Sequence, residues 1–293
     1  KYFRRDRFNK IKGPFKNGIY DSIAVNGKDI TLTIDSKLQQ YGEYLMKGKR
    51  GGIIALEPSS GEILALVTSP SYDPNMMVGR LRSPNSVKLI GDSINKPMYD
   101  RGLKGTYPPG SPFKLVNALI GLQEDVIDEN THFVCNGGYR YGNRKNEFMK
   151  CHCDIYGKPI QLNSAISKSC NSYFANTYKR IIEKNKNSTS GMNTWSTHVK
   201  SFGLGNYLGY DLPEGDKGLI PDGEYYNSMY KHRWNASTNI SNAIGQGEVL
   251  TTPIQLANVT AAIANRGFFH TPHIVKKINS QAITDSSYTT PKH

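Results

Sequence analysis

The chain has 293 residues, 37% of them hydrophobic, and a formal net charge of +13 at pH 7. That length can bury one large domain with a fragment beside it. No apolar run approaches the 18 residues of a membrane span, and the opening Lys1-Tyr2-Phe3-Arg4-Arg5-Asp6-Arg7 does not read as a signal peptide.

Residues 1–27 show no clear period and close on the turn signal Asn26-Gly27. Their cations Arg4, Arg5, Arg7, Lys10, Lys12 and Lys16 suit a solvated face, anionic lipid headgroups or acidic wall polymers. No basic helix with interleaved aromatics accompanies them, so nucleic acid is not expected as a partner. Ile30, Leu32 and Ile34 alternate with Thr31 and Thr33 as a short half-buried strand, and Asp35-Ser36 caps a helix over 37–46. Apolar runs at 53–56 and 63–67, joined by Pro58-Ser59-Ser60-Gly61, read as a hairpin. Residues 69–100 read as a surface loop, and Arg101 as a partner in a structural ion pair, with a substrate contact the alternative. Residues 124–161 and 183–235 read as irregular, the second region packed down by Trp195 and Trp234. Thr252-Pro253 opens a helix that stops at Asn265-Arg266-Gly267, and residues 273–278 read as an edge strand.

The chemistry is concentrated in Ser111-Pro112-Phe113-Lys114. Tyr107-Pro108-Pro109-Gly110 cannot be helical, Pro112 suits the first helical position, and residues 115–122 are an apolar helical run. Positions three apart share a helical face, so Ser111 and Lys114 point the same way and can come within hydrogen-bonding reach. A lysine whose pKa burial has lowered can take the serine proton, and a helix N-terminus favours a developing oxyanion. Ser169-Cys170-Asn171 lies between helical runs at 162–166 and 173–182, so Ser169 and Asn171 can face the same cleft. Ser-x-x-Lys followed by Ser-x-Asn is far more specific than either motif alone.

All four cysteines follow Ser111, at positions 135, 151, 153 and 170. Cys151 and Cys153 are too close in sequence to bridge each other comfortably, so disulfides would need distant partners. A four-thiolate zinc site, two disulfides and free thiols all remain open.

Residues 101–114, the 51–75 segment with Gly51-Gly52-Ile53-Ile54-Ala55-Leu56-Glu57-Pro58, and the stretch from Ile244-Gly245-Gln246-Gly247 through Ala264-Asn265-Arg266-Gly267 resemble class B penicillin-binding proteins. The likeness runs over about residues 27–278. Ser201-Phe202-Gly203-Leu204-Gly205 and the cysteine-rich insert lean toward the elongation type, penicillin-binding protein 2. The resemblance implies an α/β (α+β) fold: a mixed five-stranded, antiparallel-rich sheet with helices on both sides and a helical lobe, the active site lying at their junction. It implies residues 1–27 as the tail of a pedestal domain and residues 28–293 as a transpeptidase domain. The family's third motif, Lys-Ser/Thr-Gly, does not occur in the sequence, so the chain reads as stopping before it and, at the other end, as starting after the N-terminal membrane anchor that family members carry. Such a chain is expected to be short of full activity.

By the same resemblance the catalytic residues are Ser111, Lys114, Ser169 and Asn171. The reaction is D,D-transpeptidation of stem peptides ending in D-Ala-D-Ala, at the periplasmic face of the inner membrane, and β-lactams stop it at the acyl stage. The oxyanion is expected on the Ser111 N–H and one from the third-motif strand. Elongation-complex proteins, including a glycosyltransferase, are the implied partners. Some relatives hold structural zinc through the cysteine of the second motif, which Cys170 matches; Cys135, Cys151 and Cys153 would complete the set, with His152 as a substitute for one, and no catalytic cofactor is implied. A serine β-lactamase or β-lactam sensor shares the two motifs, and fast penicillin hydrolysis would mark the former. A non-catalytic scaffold is the reading of a different class, marked by failure to acylate.

Overall fold

A computed structural model describes residues 1–212 and 215–293. At its start β1 (Phe3–Arg5) and β2 (Ile11–Pro14) form an antiparallel hairpin that pairs with no other described strand. β3 (Ile30–Leu32) leads into α1 (Ser36–Met46), whose first N–H groups, on Lys37 and Leu38, donate to the Asp35 carboxylate. β4 (Gly51–Leu56) and β5 (Ile63–Ser69) pair antiparallel, with Ile53 opposite Val67 and Ala55 opposite Ala65. Ile63, Ala65 and Val67 alternate inward along β5, as a strand with one covered face requires. α1 supplies the cover, and a Cβ on its Gly42 would stand 2.8 Å from the Val67 side chain.

The segment read as a surface loop contains α2 (Arg82–Gly91). Its start lacks a side-chain cap and its only buried residue is Leu89, so neither capping nor periodicity marked it. Arg101 departs from its expected ion pair. It is buried, and its guanidinium donates to the carbonyls of Asn95, Lys96, Tyr99 and Pro70, tying this segment to the nucleophile turn.

α3 (Phe113–Gln123) begins one residue later than expected, with Pro112 as its cap residue and Ser111 in the preceding turn. Next come β6 (His132–Asn136), β7 (Gly138–Arg140), β8 (Phe148–Lys150) and β9 (Tyr156–Gln161), paired as β6–β9 and β7–β8. The helical lobe follows: α4 (Leu162–Ser167), α5 (Asn171–Glu183), α6 (Ser188–Ser201) and α7 (Gly223–Tyr230). The last two occupy a region expected to be irregular. Their polar sequences dilute the period; Asn187 and Asp222 cap them, and a few large residues, above all Trp195 and Tyr226, bury them. Phe113, Tyr173, Phe174 and Tyr178 complete this core.

α8 (Pro253–Ala264) starts on a reciprocal Thr252–Gln255 capping box and packs on β4. β10 (Val275–Ile278) and β11 (Gln281–Ala282) join β3 in the order β11-β10-β3, so β10 is a central strand and not the expected edge. The described strands give sheets of three and two, linked by a Glu62–His273 bridge, in place of one sheet of five. Asp211 lies at this junction. Its carboxylate accepts from the Ile274 and Val275 N–H groups at 2.8 and 2.9 Å, and the β3–β10 register shifts just after them.

Candidate active site

The site is assembled from three chain turns. The first is the nucleophile turn. Gly110 has a left-handed φ of 66° and donates to the Gly245 carbonyl at 2.8 Å, which anchors the turn to the 240–246 loop. Gly245 also has φ 66°, and a Cβ there would come within 2.4 Å of the Gly110 oxygen, so close approach demands glycine. From this turn Ser111 is exposed and Lys114, one turn along, is 3% exposed.

The second turn joins α4 to α5. Cys170 N–H returns to the Ala165 carbonyl and Ser169 N–H to that of Ile166, the double bond pattern that closes a helix through a left-handed residue. That residue is usually glycine; here it is Ser169, with φ 51°. A side chain held in this sparsely populated region is kept there by its surroundings. Cys170 then caps α5, its sulfur accepting from Tyr173 N–H at 3.4 Å. The Ser169 hydroxyl and carbonyl and the Asn171 amide are thereby turned to one side, toward α3.

Lys114 Nζ meets all three: Ser169 Oγ at 2.8 Å, the Ser169 carbonyl at 2.8 Å and Asn171 Oδ1 at 2.6 Å. Ser169 Oγ lies 3.0 Å from Ser111 Oγ. The four residues singled out in the sequence are therefore contiguous, but the link from Ser111 to Lys114 passes through Ser169, where direct reach was expected. Burial pushes the Lys114 amine below its usual value near 10.5, while the sulfurs of Cys151, Cys170 and Cys153 pull it partway back.

The third turn follows β8. Asn171 Nδ2 donates to the Lys150 carbonyl at 2.8 Å, which fixes the amide so that Oδ1 faces Lys114. Asn171 N–H donates to Cys151 Sγ at 3.2 Å. No side-chain pattern announces a main-chain acceptor such as Lys150, so nothing in the sequence marks it.

Behind this turn the sulfurs of Cys135, Cys151, Cys153 and Cys170 lie within 4.8 Å of one another. The thiols are free, with Cys151–Cys170 sulfurs 3.7 Å apart and Cys153–Cys135 sulfurs 3.6 Å apart. A tetrahedral tetrathiolate with metal–sulfur bonds of about 2.3 Å has edges of roughly 3.8 Å, so the donor set fits such an ion. Burial alone would raise the Cys151 thiol, but N–H groups including those of Ser172 and Asn171 bring it to about 7. Burial pushes Cys135 up to about 11, and Cys170 also upward. His152 stands apart from the four sulfurs, exposed at the rim of the cleft.

The family profile described as "Penicillin binding protein transpeptidase domain" matches residues 51–293. The chain belongs to the penicillin-binding protein transpeptidase family. It is similar to the peptidoglycan D,D-transpeptidase MrdA of Acinetobacter baumannii, 35% identical over 250 residues, which cover 85% of this chain and 36% of that protein. The chain thus spans well under half the length of that curated relative. Among solved structures, penicillin-binding protein 2 of Pseudomonas aeruginosa in complex with WCK 5153 superposes with a TM-score of 0.78 at 34% identity, covering 92% of this chain and 58% of that one. A complex between PBP2 and MreC from Helicobacter pylori gives 0.74 at 25% identity, covering 99% and 49%. Within the penicillin-binding proteins these likenesses are to the class B, elongation type, and the fold is that of its transpeptidase domain.

Proposed function

We propose that the chain carries the acyl-transfer chemistry of a peptidoglycan D,D-transpeptidase, with Ser111 as nucleophile, Lys114 as general base, Ser169 as proton relay and Asn171 as the residue that orients Lys114 and the substrate amide. The observation that carries this reading is the hydrogen-bonded path from Ser111 Oγ through Ser169 Oγ to Lys114 Nζ. With Lys114 protonated, the lysine donates to Ser169 and Ser169 to Ser111. With Lys114 neutral, the same contacts run the other way: Ser111 donates to Ser169 and Ser169 to the amine. A proton can therefore leave Ser111 without any heavy atom moving, as its oxygen attacks the penultimate D-alanyl carbonyl. The proton returned along the path protonates the departing D-alanine amine. A neighbouring stem peptide's amine then takes the acyl group. The strained carbonyl of a β-lactam enters the same first step.

The thiol cluster is read as a structural zinc site held by Cys135, Cys151, Cys153 and Cys170. Four protein ligands leave no open coordination position, so bound zinc supplies a cross-link and no reacting water. The cross-link would fix Cys170 between the two catalytic residues that flank it. Residues 28–293 are read as the transpeptidase unit, because β3 pairs with β10, and residues 1–27 as part of a preceding pedestal. No helix among the described residues is long and apolar enough to cross a membrane. The likeness to MrdA, a peptidoglycan D,D-transpeptidase, supports stem peptides as substrate, the periplasmic face of the inner membrane is where that substrate would be met, and the MreC complex of the H. pylori relative supports elongation-complex partners.

The test is intact mass before and after benzylpenicillin, for this chain and for a version extended through a Lys-Ser/Thr-Gly strand. A stable adduct mapping to Ser111 and absent from Ser111→Ala is expected, at least in the extended version. No adduct in either would sink the enzyme reading and leave the scaffold.

A further inference from the structure

The cysteine cluster divides into two pairs. Cys151 and Cys170 are 3.7 Å apart at their sulfurs, Cys153 and Cys135 3.6 Å apart, and all four are free thiols. A disulfide bond is about 2.05 Å long, so each pair lies roughly 1.6 Å from bonding distance. Access is unequal within each pair. Cys151 is half-buried and Cys153 is 3% exposed, whereas Cys135 and Cys170 are at 0%. A recess of about 310 Å³ opens on this side, and Cys151 and Cys153 line it between Gly137 and Tyr156. Each pair therefore has one sulfur that meets an entering reagent and one behind it, the arrangement of an attacking and a resolving cysteine.

We propose that Cys151–Cys170 and Cys153–Cys135 are sites of reversible oxidation, closed into two disulfides by an entering disulfide, and that closing the first slows acylation at Ser111. The Cys151 thiolate attacks one sulfur of the entering disulfide, whose S–S bond breaks and releases one thiolate. Cys170 then attacks the Cys151 sulfur, forming the internal bond and releasing the second thiolate, and the two released thiolates take up the protons that the cysteines gave up. Two cysteines are oxidised for each entering disulfide reduced, and Cys153 with Cys135 consumes a second equivalent. The coupling to catalysis runs through α5. Cys151 Sγ accepts from Asn171 N–H at 3.2 Å and Cys170 Sγ from Tyr173 N–H at 3.4 Å, so the pair cannot close without moving a sulfur that holds the first turn of that helix. Asn171 Oδ1, in the same turn, holds Lys114. This coupling rests on the transpeptidase reading, whereas the pairing does not. Zinc bound by the same four sulfurs would oppose the oxidation.

The test exposes this chain, and the version extended through a Lys-Ser/Thr-Gly strand, to oxidised glutathione after chelation and, in parallel, after zinc loading. Remaining thiols are alkylated and the disulfides mapped by peptide mass spectrometry. Cys151–Cys170 and Cys153–Cys135 are expected within each chain, formed about tenfold more slowly with zinc loaded and reversed by dithiothreitol. A Cys151–Cys153 link, glutathione retained as a mixed disulfide, or thiols that all stay alkylatable in the chelated chain would overturn the pairing. Benzylpenicillin labelling of the extended version is then timed, and its rate is expected to fall about tenfold on oxidation and to recover with dithiothreitol. Cys135→Ser/Cys153→Ser, which keeps only the first pair, should retain that response, and Cys151→Ala should lose it. Each variant is compared with its own reduced form, so a loss of stability common to both forms cancels, and the map on the native chain needs no variant. Both disulfides formed with acylation unchanged would remove the coupling. No labelling of the reduced protein would remove the transpeptidase reading and leave the disulfide map to decide the pairing.

Discussion

Lys114 and Cys170 are both almost fully buried, at 3% and 0% exposure, and they stand on opposite sides of the same constellation. Lys114 is placed by local rules: a Pro-Gly turn, a helix start, and one helical turn between two side chains. Cys170 is placed by distant ones, since its neighbours Cys135, Cys151 and Cys153 arrive on chain segments up to 35 residues away, through short strands with little burial of their own. The α3 side can lose a functional group and keep its shape, because its apolar core holds it. On the cysteine side Cys135, Cys153 and Cys170 enter the same core, but the short strands that bring them bury little else, so that side depends more on what binds its sulfurs. The two sides of the site should therefore fail differently.

The largest expected effect is on the α3 side. Lys114→Met removes the base and is expected to slow benzylpenicillin acylation by about 10³-fold or more, with a smaller loss in melting temperature than Cys170→Ser, as an apolar chain of similar length fills the space but leaves the Ser169 carbonyl and Asn171 Oδ1 without their donor. In the native protein the acylation rate should rise with pH as Lys114 loses its proton and level off below pH 10.5, since burial lowers its pKa. The linkage has a definite sign. The folded state releases this proton at a lower pH than the unfolded chain does, so stability rises as pH climbs through the folded pKa toward 10.5. Flat pH dependence of acylation would remove Lys114 as the base.

Next in size is Cys170→Ser, which takes one thiolate from the cluster while its hydroxyl can still cap α5. A loss of at least about 3 kcal/mol of stability is expected, together with loss of acylation and, by native mass spectrometry, of the zinc proposed for the cluster. Chelation of the native protein should reproduce all three. A Cys170→Ser protein that melts normally and still acylates would erase the contrast between the two sides.

What the sequence disclosed follows the same division. The cap at Asp35, the hairpin at β4–β5, the start of α3, the α4–α5 turn and the Thr252 capping box are local, and local chemistry made them legible. The four catalytic candidates belonged to such turns. α2, α6 and α7 escaped because their stability comes from packing, on Leu89, Trp195 and Tyr226, and not from their period. The place of Ser169 between Ser111 and Lys114 escaped because it depends on how α4 and α5 meet α3. Asp211 escaped as well: a carboxylate 63 residues away in sequence reshapes β10, and nothing at either position announces it.

Asn117 tests whether α3 is as self-sufficient as that division implies. It is wholly buried one turn beyond Lys114. Its Oδ1 accepts from Trp195 Nε1 at 2.8 Å, and its Nδ2 donates to the carbonyls of Asn242 and Ala243 at 3.2 and 2.9 Å. Asn117→Leu leaves an indole donor and two carbonyls without partners and should cost about 2–4 kcal/mol in denaturant unfolding. Because the 240–246 loop carries Gly245 against Gly110, a lower acylation rate at a temperature well below the melt is also expected. A variant as stable as the native protein would show that packing alone sets α3.

The smallest effect belongs to the α8 capping box. Thr252 Oγ1 accepts from Gln255 N–H at 3.4 Å, while Gln255 Oε1 accepts from Thr252 N–H at 2.9 Å. Gln255 Nε2 reaches onward to the carbonyls of Asn206 and Lys217, both at 2.9 Å, so the glutamine has long-range anchors and the threonine has the weaker share. Thr252→Ala is therefore expected to cost about 1 kcal/mol, and Gln255→Ala more, because two loop carbonyls then lose a buried donor. Neither side chain touches the path from Ser111 to Lys114, so benzylpenicillin should acylate both variants at the native rate. An acylation defect in Thr252→Ala that outstrips its loss of stability would mean that the start of α8 steers the nucleophile turn through the Thr251–Tyr107 bridge, and that local capping on this side of the molecule already carries a functional load.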